Sequence, residues 1–199
     1  MSPGEALSVR SVQVPSRLGA ARFGLWLFLA SEAVLFLTLF ATYAVLRLKS
    51  DAWPRGADQL GVAFGAFNSL VLVASSVTML GAWWAARRGV VDRARAALLA
   101  TAALGALFVL VKSFEWALEA RAGGVPSASH FHALYYLLTG LHVVHALGGI
   151  GVLGHLWASG RSAAVSDPER FAGRVELCGI YWHFVDIAWL VLFALLYLT

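Results

Sequence analysis

Glu32, Lys112, Glu115, His142, His145, His183 and Asp186 stand inside long apolar stretches of this sequence. If those stretches lie in lipid, each ionisable group is costly and becomes a functional candidate. His142 and His145 are three residues apart, as are His183 and Asp186, and Lys112 and Glu115. On a helix that spacing puts both members of a pair on one face. Three readings of Glu32 compete. It is a neutral carboxylic acid hydrogen-bonded to a neighbouring helix, a proton carrier, or a metal ligand. The first has the simplest motive, because burial disfavours a lone charge and intramembrane carboxylates find polar partners. His142 and His145 are expected at the same depth as Glu32, so the three form a candidate intramembrane cluster.

Redox and metal chemistry find less support. A di-iron bundle needs Glu-x-x-His on two helices. No glutamate here has a histidine three positions later. Cys178 is the only cysteine, so an internal disulfide, a cysteine metal cluster and a Cys-x-x-Cys-His haem attachment are all excluded. His142 or His145 facing His183 could in principle bracket a b-type haem. Their expected depths differ, however, with His183 and Asp186 placed nearer the cytoplasmic end of their helix. His130 and His132 fall where a helix begins and read as solvated or interfacial.

The elements that position these groups are five apolar segments. A spanning helix needs about 20 apolar residues. The segments run from about Phe23 to Leu46, Gly61 to Ala86, Ala96 to Phe114, Ala133 to Ala158 and Leu177 to Thr199. They are too long and too continuous for barrel strands. The connections are polar and short. Trp53-Pro54 marks a stop, residues 87–95 form a charged hairpin, and Gly123-Gly124 and Asp167-Pro168-Glu169-Arg170 mark two further turns. The expected organisation is a polar tail over residues 1–22 and one all-α domain of five transmembrane helices over residues 23–199. The tail holds Arg10, Arg17 and Arg22 but no apolar core, so the first helix is expected to serve as its own insertion signal.

Composition agrees. The chain is 60% hydrophobic and 13% charged, with a net charge of +4. Soluble domains carry about 25% charged residues. The arginines lie between apolar blocks and form no basic face, so nucleic acid is not an expected partner. The tail, the second-to-third loop and the fourth-to-fifth loop together carry 10 of the Lys and Arg residues, and the other two loops carry 4. That bias predicts a cytoplasmic N-terminus. Trp53, Trp83, Trp84, Trp116, Trp157 and Trp182 fall near expected helix ends, as interfacial anchors do. Gly140, Gly148, Gly149, Gly151 and Gly154 favour close helix contact and point to the fourth segment as the centre of the bundle.

Four phrases carry a resemblance to subunit III of the haem-copper respiratory oxidases. Tyr181-Trp182-His183-Phe184-Val185-Asp186 in the last helix resembles that family's terminal signature. Thr139-Gly140-Leu141-His142-Val143-Val144-His145 is similar to its two-histidine phrase, with Val143-Val144 standing where Gly-Leu is usual. Trp26 through Glu32, followed by Phe40-Ala41-Thr42-Tyr43, resembles its first shared helix. Phe114-Glu115-Trp116 resembles its aromatic-flanked glutamate. The resemblance covers about residues 20–199 in order and spacing. The longer mitochondrial-type form has two further helices at its start, so this chain is similar to the short five-helix bacterial form.

The resemblance implies a multi-pass protein of the bacterial inner membrane. It implies a subunit of a proton-pumping oxidase that reduces oxygen to water. It also implies that no redox centre lies in this chain, with haems and copper in subunits I and II. The implied role is to pack directly on subunit I, hold phospholipid, stabilise the complex and support proton uptake. Glu115, His183 and Asp186 are the family-signature polar residues, without an assigned catalytic or metal role. Cytochrome c is the expected electron donor. A quinol oxidase and a nitric oxide reductase accessory protein are alternatives within the superfamily. A b-type cytochrome and a small proton-coupled transporter are alternatives from other classes. Against the transporter stands the absence of inverted repeats.

Overall fold

This computed structural model describes residues 17–51 and 53–198. All regular structure among them is helical: α1 (Arg17–Leu48), α2 (Gly56–Gln59), α3 (Val62–Arg87), α4 (Val91–Arg121), α5 (His130–Ser166) and α6 (Pro168–Tyr197). Every helix except the four-residue α2 is long and apolar enough to cross a membrane. The five expected spans are therefore present.

The helices run past their apolar blocks. α6 has 30 residues and α5 has 37. At 1.5 Å per residue, 30 residues make about 45 Å of helix, against about 30 Å of hydrocarbon. Polar end turns remain helical because their backbone bonds stay within the segment, while their side chains reach the interface. The stretch 159–176, expected as a loop, is almost wholly helical. Only Asp167 separates α5 from α6. Its side chain accepts from the Arg170 backbone N–H at 3.0 Å, and Pro168 opens the new helix. Pro at the first helical position behind an Asp cap is a strong start signal. The sequence Asp-Pro-Glu-Arg is thus a break of one residue and no longer. Likewise α1 begins at Arg17 and not near Phe23. Arg22 bonds Glu176 at 2.7 Å, and Leu18 lies against Gly173. Residues 1–16 of the expected tail lie outside the described residues.

α3, α4, α5 and α6 pack as a four-helix ring, each beside the next and α6 closing on α3. α1 lies outside it, along α5 and α6. α6 touches α1, α2, α3 and α5, so it holds the central place expected of α5. The reason lies in the side chains. Of the glycines on α5, a Cβ at Gly140, Gly151 or Gly154 would meet nothing within 4 Å. Gly149 and Gly160 are the tight ones on α5, Gly160 against Arg95 and Phe171. A Cβ at Gly149 would come 2.8 Å from the Trp182 ring, and one at Gly105 on α4 would come 2.6 Å from it. Trp182 is fully buried in that slot and donates its Nε1–H to Ser75 Oγ at 2.9 Å. It is therefore a core residue and not an interfacial anchor. The expected anchoring position followed from nearness to a span end, which does not show whether the ring faces lipid or a neighbouring helix. Helix association in lipid rests on such packing and hydrogen bonding, since lipid tails are as apolar as leucine.

The connection between α1 and α3 contains the short helix α2, which hydropathy did not reveal. A Cβ on Gly56 would stand 1.7 Å from the Leu196 carbonyl oxygen, so glycine alone lets α2 lie on the end of α6. The α3–α4 hairpin turns at Gly89, whose φ of +72° is in the region that favours glycine.

Candidate functional site

Three polar clusters are held inside the bundle, and each joins two or more helices. In the first, Glu32 of α1 meets His145 of α5, with Oε2 and Nε2 2.8 Å apart. The other ring nitrogen, Nδ1, lies 2.8 Å from the Leu141 carbonyl oxygen. A carbonyl only accepts, so Nδ1 carries a hydrogen. The contact between Nε2 and Oε2 then holds one shared proton. Wherever that proton sits, the pair is neutral overall, as acid and imidazole or as carboxylate and imidazolium. Tyr181 on α6 donates to the His145 carbonyl at 2.8 Å, so the pair is tied to a third helix.

His142 does not join this pair. It points into the ring of four helices, with no exposed surface. Its imidazole stands edge-on to Phe108 at 5.3 Å and lies beside Trp189 at 5.3 Å. Both of its ring nitrogens lack a partner among the described residues. The sequence spacing put both histidines on one side of α5, but three residues still turn about 60° away from each other on a helix. That is enough to send one to α1 and the other to the core.

The second cluster is enclosed. Lys112 and Glu115 on α4 meet Tyr135 of α5 and Tyr197 of α6. The Lys112 ammonium donates to Glu115 Oε2 at 3.2 Å, to the Tyr135 hydroxyl at 3.0 Å and to the Tyr197 hydroxyl. Both phenols in turn donate to Glu115 Oε1, at 2.9 Å and 2.5 Å. An ammonium has three donors, and all three are used. Lys112 also sits 4.4 Å from the Tyr135 ring centroid and 5.4 Å from that of Trp189. Spacing gave Lys112 and Glu115, but not the tyrosines. The signal for Tyr135 and Tyr197 is a phenol in an otherwise apolar stretch, which needs a partner when buried.

The third cluster joins α3 to α6. Ser76 Oγ donates to Asp186 Oδ2, and Ser76 Oγ also lies 3.0 Å from His183 Nδ1. His183 and Asp186 lie in the middle third of α6, within its apolar part. Ser76 stands beside Ser75 in the second span, and nothing in that pair marks the group it faces.

No group of three or more His, Cys, Asp or Glu side chains that could hold a metal ion occurs among the described residues. Of the histidines that could bracket a haem, His145 has both ring nitrogens engaged.

Five spanning helices that bury polar clusters between them define a polytopic membrane protein. A family model described as Cytochrome c oxidase subunit III matches residues 11–199. The chain belongs to that family, the third subunits of haem-copper oxidases. It is 35% identical over 178 residues to cytochrome c oxidase subunit 3 of Synechocystis sp., covering 88% of this chain and 74% of the relative. It is 32% identical over 197 residues to a probable cytochrome c oxidase subunit 3 of Nocardia farcinica, covering 98% and 96%. It is also 32% identical over 184 residues to a cytochrome bo(3) ubiquinol oxidase subunit 3 of Pseudomonas aeruginosa, covering 90% and 85%.

Proposed function

We propose that this chain is a non-catalytic subunit of a proton-pumping cytochrome c oxidase in a bacterial inner membrane. It packs on the haem- and copper-bearing subunit I, stabilises it and supports proton uptake. One observation carries the non-catalytic reading. The charged and acidic side chains within the spans are each held by a neighbouring side chain: Glu32 by His145, Lys112 and Glu115 by each other, Asp186 by the Ser76 hydroxyl. These groups hold helices together and are not gathered around a reacting centre.

Phospholipid is the expected small-molecule partner. A cleft of about 620 Å³ lies between α1 and the α5–α6 pair, walled by Leu25, Phe28, Val152 and Leu177, with Arg174 at its rim. Apolar walls suit acyl chains, and an exposed guanidinium suits a phosphate. With the N-terminus in the cytoplasm, Arg174 falls at the cytoplasmic headgroup level.

Removal of the chain tests the role. Subunits I and II should keep their haem spectra, while the oxidase turns over more slowly or fails sooner. Unchanged proton uptake together with an unchanged turnover lifetime would refute it. The Pseudomonas relative, named as a ubiquinol oxidase subunit, supports a second reading in which quinol is the donor. Oxygen uptake by the purified complex with reduced cytochrome c and then with quinol separates the two.

A further inference from the structure

His183 has one ring nitrogen with no partner among the described residues, and it stands inside the apolar part of α6. It lies six residues inside the apolar part of α6, which begins at Leu177, about 9 Å of helix. The residue is half-buried on the side of α6 that also carries the exposed Ile187 and Leu190. Other exposed hydroxyls within the spans bond their own helix: Ser31 to the Phe28 carbonyl, Thr38 to Val34 and Ser113 to Val109. Glu32 and His145 satisfy each other, and the Lys112 cluster is enclosed. His183 Nε2 differs from all of these.

The bonds behind it fix its chemistry. Ser76 has one hydroxyl proton, and it goes to Asp186 Oδ2. With Asp186 as the carboxylate, Ser76 Oγ accepts from His183, and Nδ1 carries the imidazole hydrogen. In the neutral ring this leaves Nε2 as a bare acceptor. Ser76 and Asp186 therefore orient the imidazole, in the way that a hydrogen bond to one ring nitrogen sets the role of the other.

We infer that the α3–α6 face is the docking surface for a spanning helix of the haem-bearing partner subunit, which places a hydrogen-bond donor against His183 Nε2. This rests on the proposed function, because the partner is the oxidase subunit that the chain packs on. The donor is a serine or threonine hydroxyl, a side-chain amide or an indole N–H. Val73 and Leu80, exposed on α3 to either side of Ser76, and Ile187 on α6 frame the contact with apolar surface. The face across the bundle presents Leu110 of α4 and Val144 of α5, and lipid alone can cover these.

Photo-crosslinking in the intact complex tests this. A photoreactive amino acid placed at Val73 or Ile187 should crosslink to the haem-bearing subunit, at a spanning segment that carries such a donor. The same group at Leu110 or Val144 should not. Crosslinks to that subunit from Leu110 or Val144 only, or a contacted segment without any donor, would overturn the surface while leaving the proposed function standing. If the chain does not co-purify with a haem-bearing subunit, the proposed function fails, and this inference with it. A second measurement does not depend on the crosslinker. His183→Gln keeps an acceptor, whereas His183→Leu removes it and should raise the fraction of complex that loses this chain in detergent by roughly three- to tenfold, the range for a hydrogen bond between membrane helices. Equal retention of both variants would count against the bond.

Discussion

Glu32 on α1 and His145 on α5 share one proton across 2.8 Å, and the Leu141 carbonyl holds the opposite ring nitrogen. Because α1 lies outside the ring of four helices, this contact is a main polar tie between it and α5. Glu32→Gln can donate an amide hydrogen to Nε2 and should assemble normally. Glu32→Ala leaves the imidazole unpaired and should lower stability by about 1 kcal/mol, a usual value for such bonds in membranes. Unfolding of both variants in detergent checks the ranking. Gln as damaging as Ala would show that the pair is ionic, and loss of a protonated carboxyl band in the infrared difference spectrum of Glu32→Gln would show that it is neutral.

The Lys112 cluster should behave as a closed unit. Lys112→Met leaves Glu115 buried with its cation gone. Breaking a buried pair in this way typically costs about 3–5 kcal/mol. The double variant Lys112→Met with Glu115→Gln removes both charges and should recover much of the loss. A double-mutant cycle on unfolding free energies measures it. Additive single effects would mean that the two groups do not act together.

Two glycines on neighbouring helices should respond in opposite ways. Gly105→Val drives a side chain into the Trp182 slot and should destabilise by about 1–3 kcal/mol, as overpacked cores do. Gly151→Val faces open space on α5 and should be close to neutral. Thermal unfolding of the two purified variants compares them directly. A destabilised Gly151→Val would mean that its face is covered in the complex.

The bias in Lys and Arg predicts that the α3–α4 hairpin is cytoplasmic and the α4–α5 connection is on the outer side. Val90→Cys should therefore react with a membrane-impermeant thiol reagent only when the cytoplasmic face is open. Ala122→Cys should react in intact cells with permeable outer membranes. The buried Cys178 gives little background. Labelling of position 90 from outside would reverse the orientation.

The number of spans, the helical class and the membrane setting were all legible in the sequence, because twenty apolar residues in a row admit one solution in lipid. The family was legible from four phrases in order. The ionisable residues were also visible, because charge is rare there and each instance stands out. Their partners were not visible. Tyr135, Tyr197 and Ser76 come from other helices, and a phenol or hydroxyl in an apolar run carries no mark of the group it will face. Tertiary structure decided that His145 meets Glu32 while His142 turns inward. Spacing gives a shared side of one helix, but not which neighbour lies against each edge of it. It also decided that α6 and not α5 is central. Glycine content records where a helix can be approached closely, and only the packed ring shows that Trp182 uses Gly105 and Gly149 while Gly140, Gly151 and Gly154 stay open. Helix ends shifted for a related reason. Hydropathy marks where lipid begins, whereas backbone hydrogen bonding and the Asp167 cap set where the helix begins, and those two boundaries need not coincide.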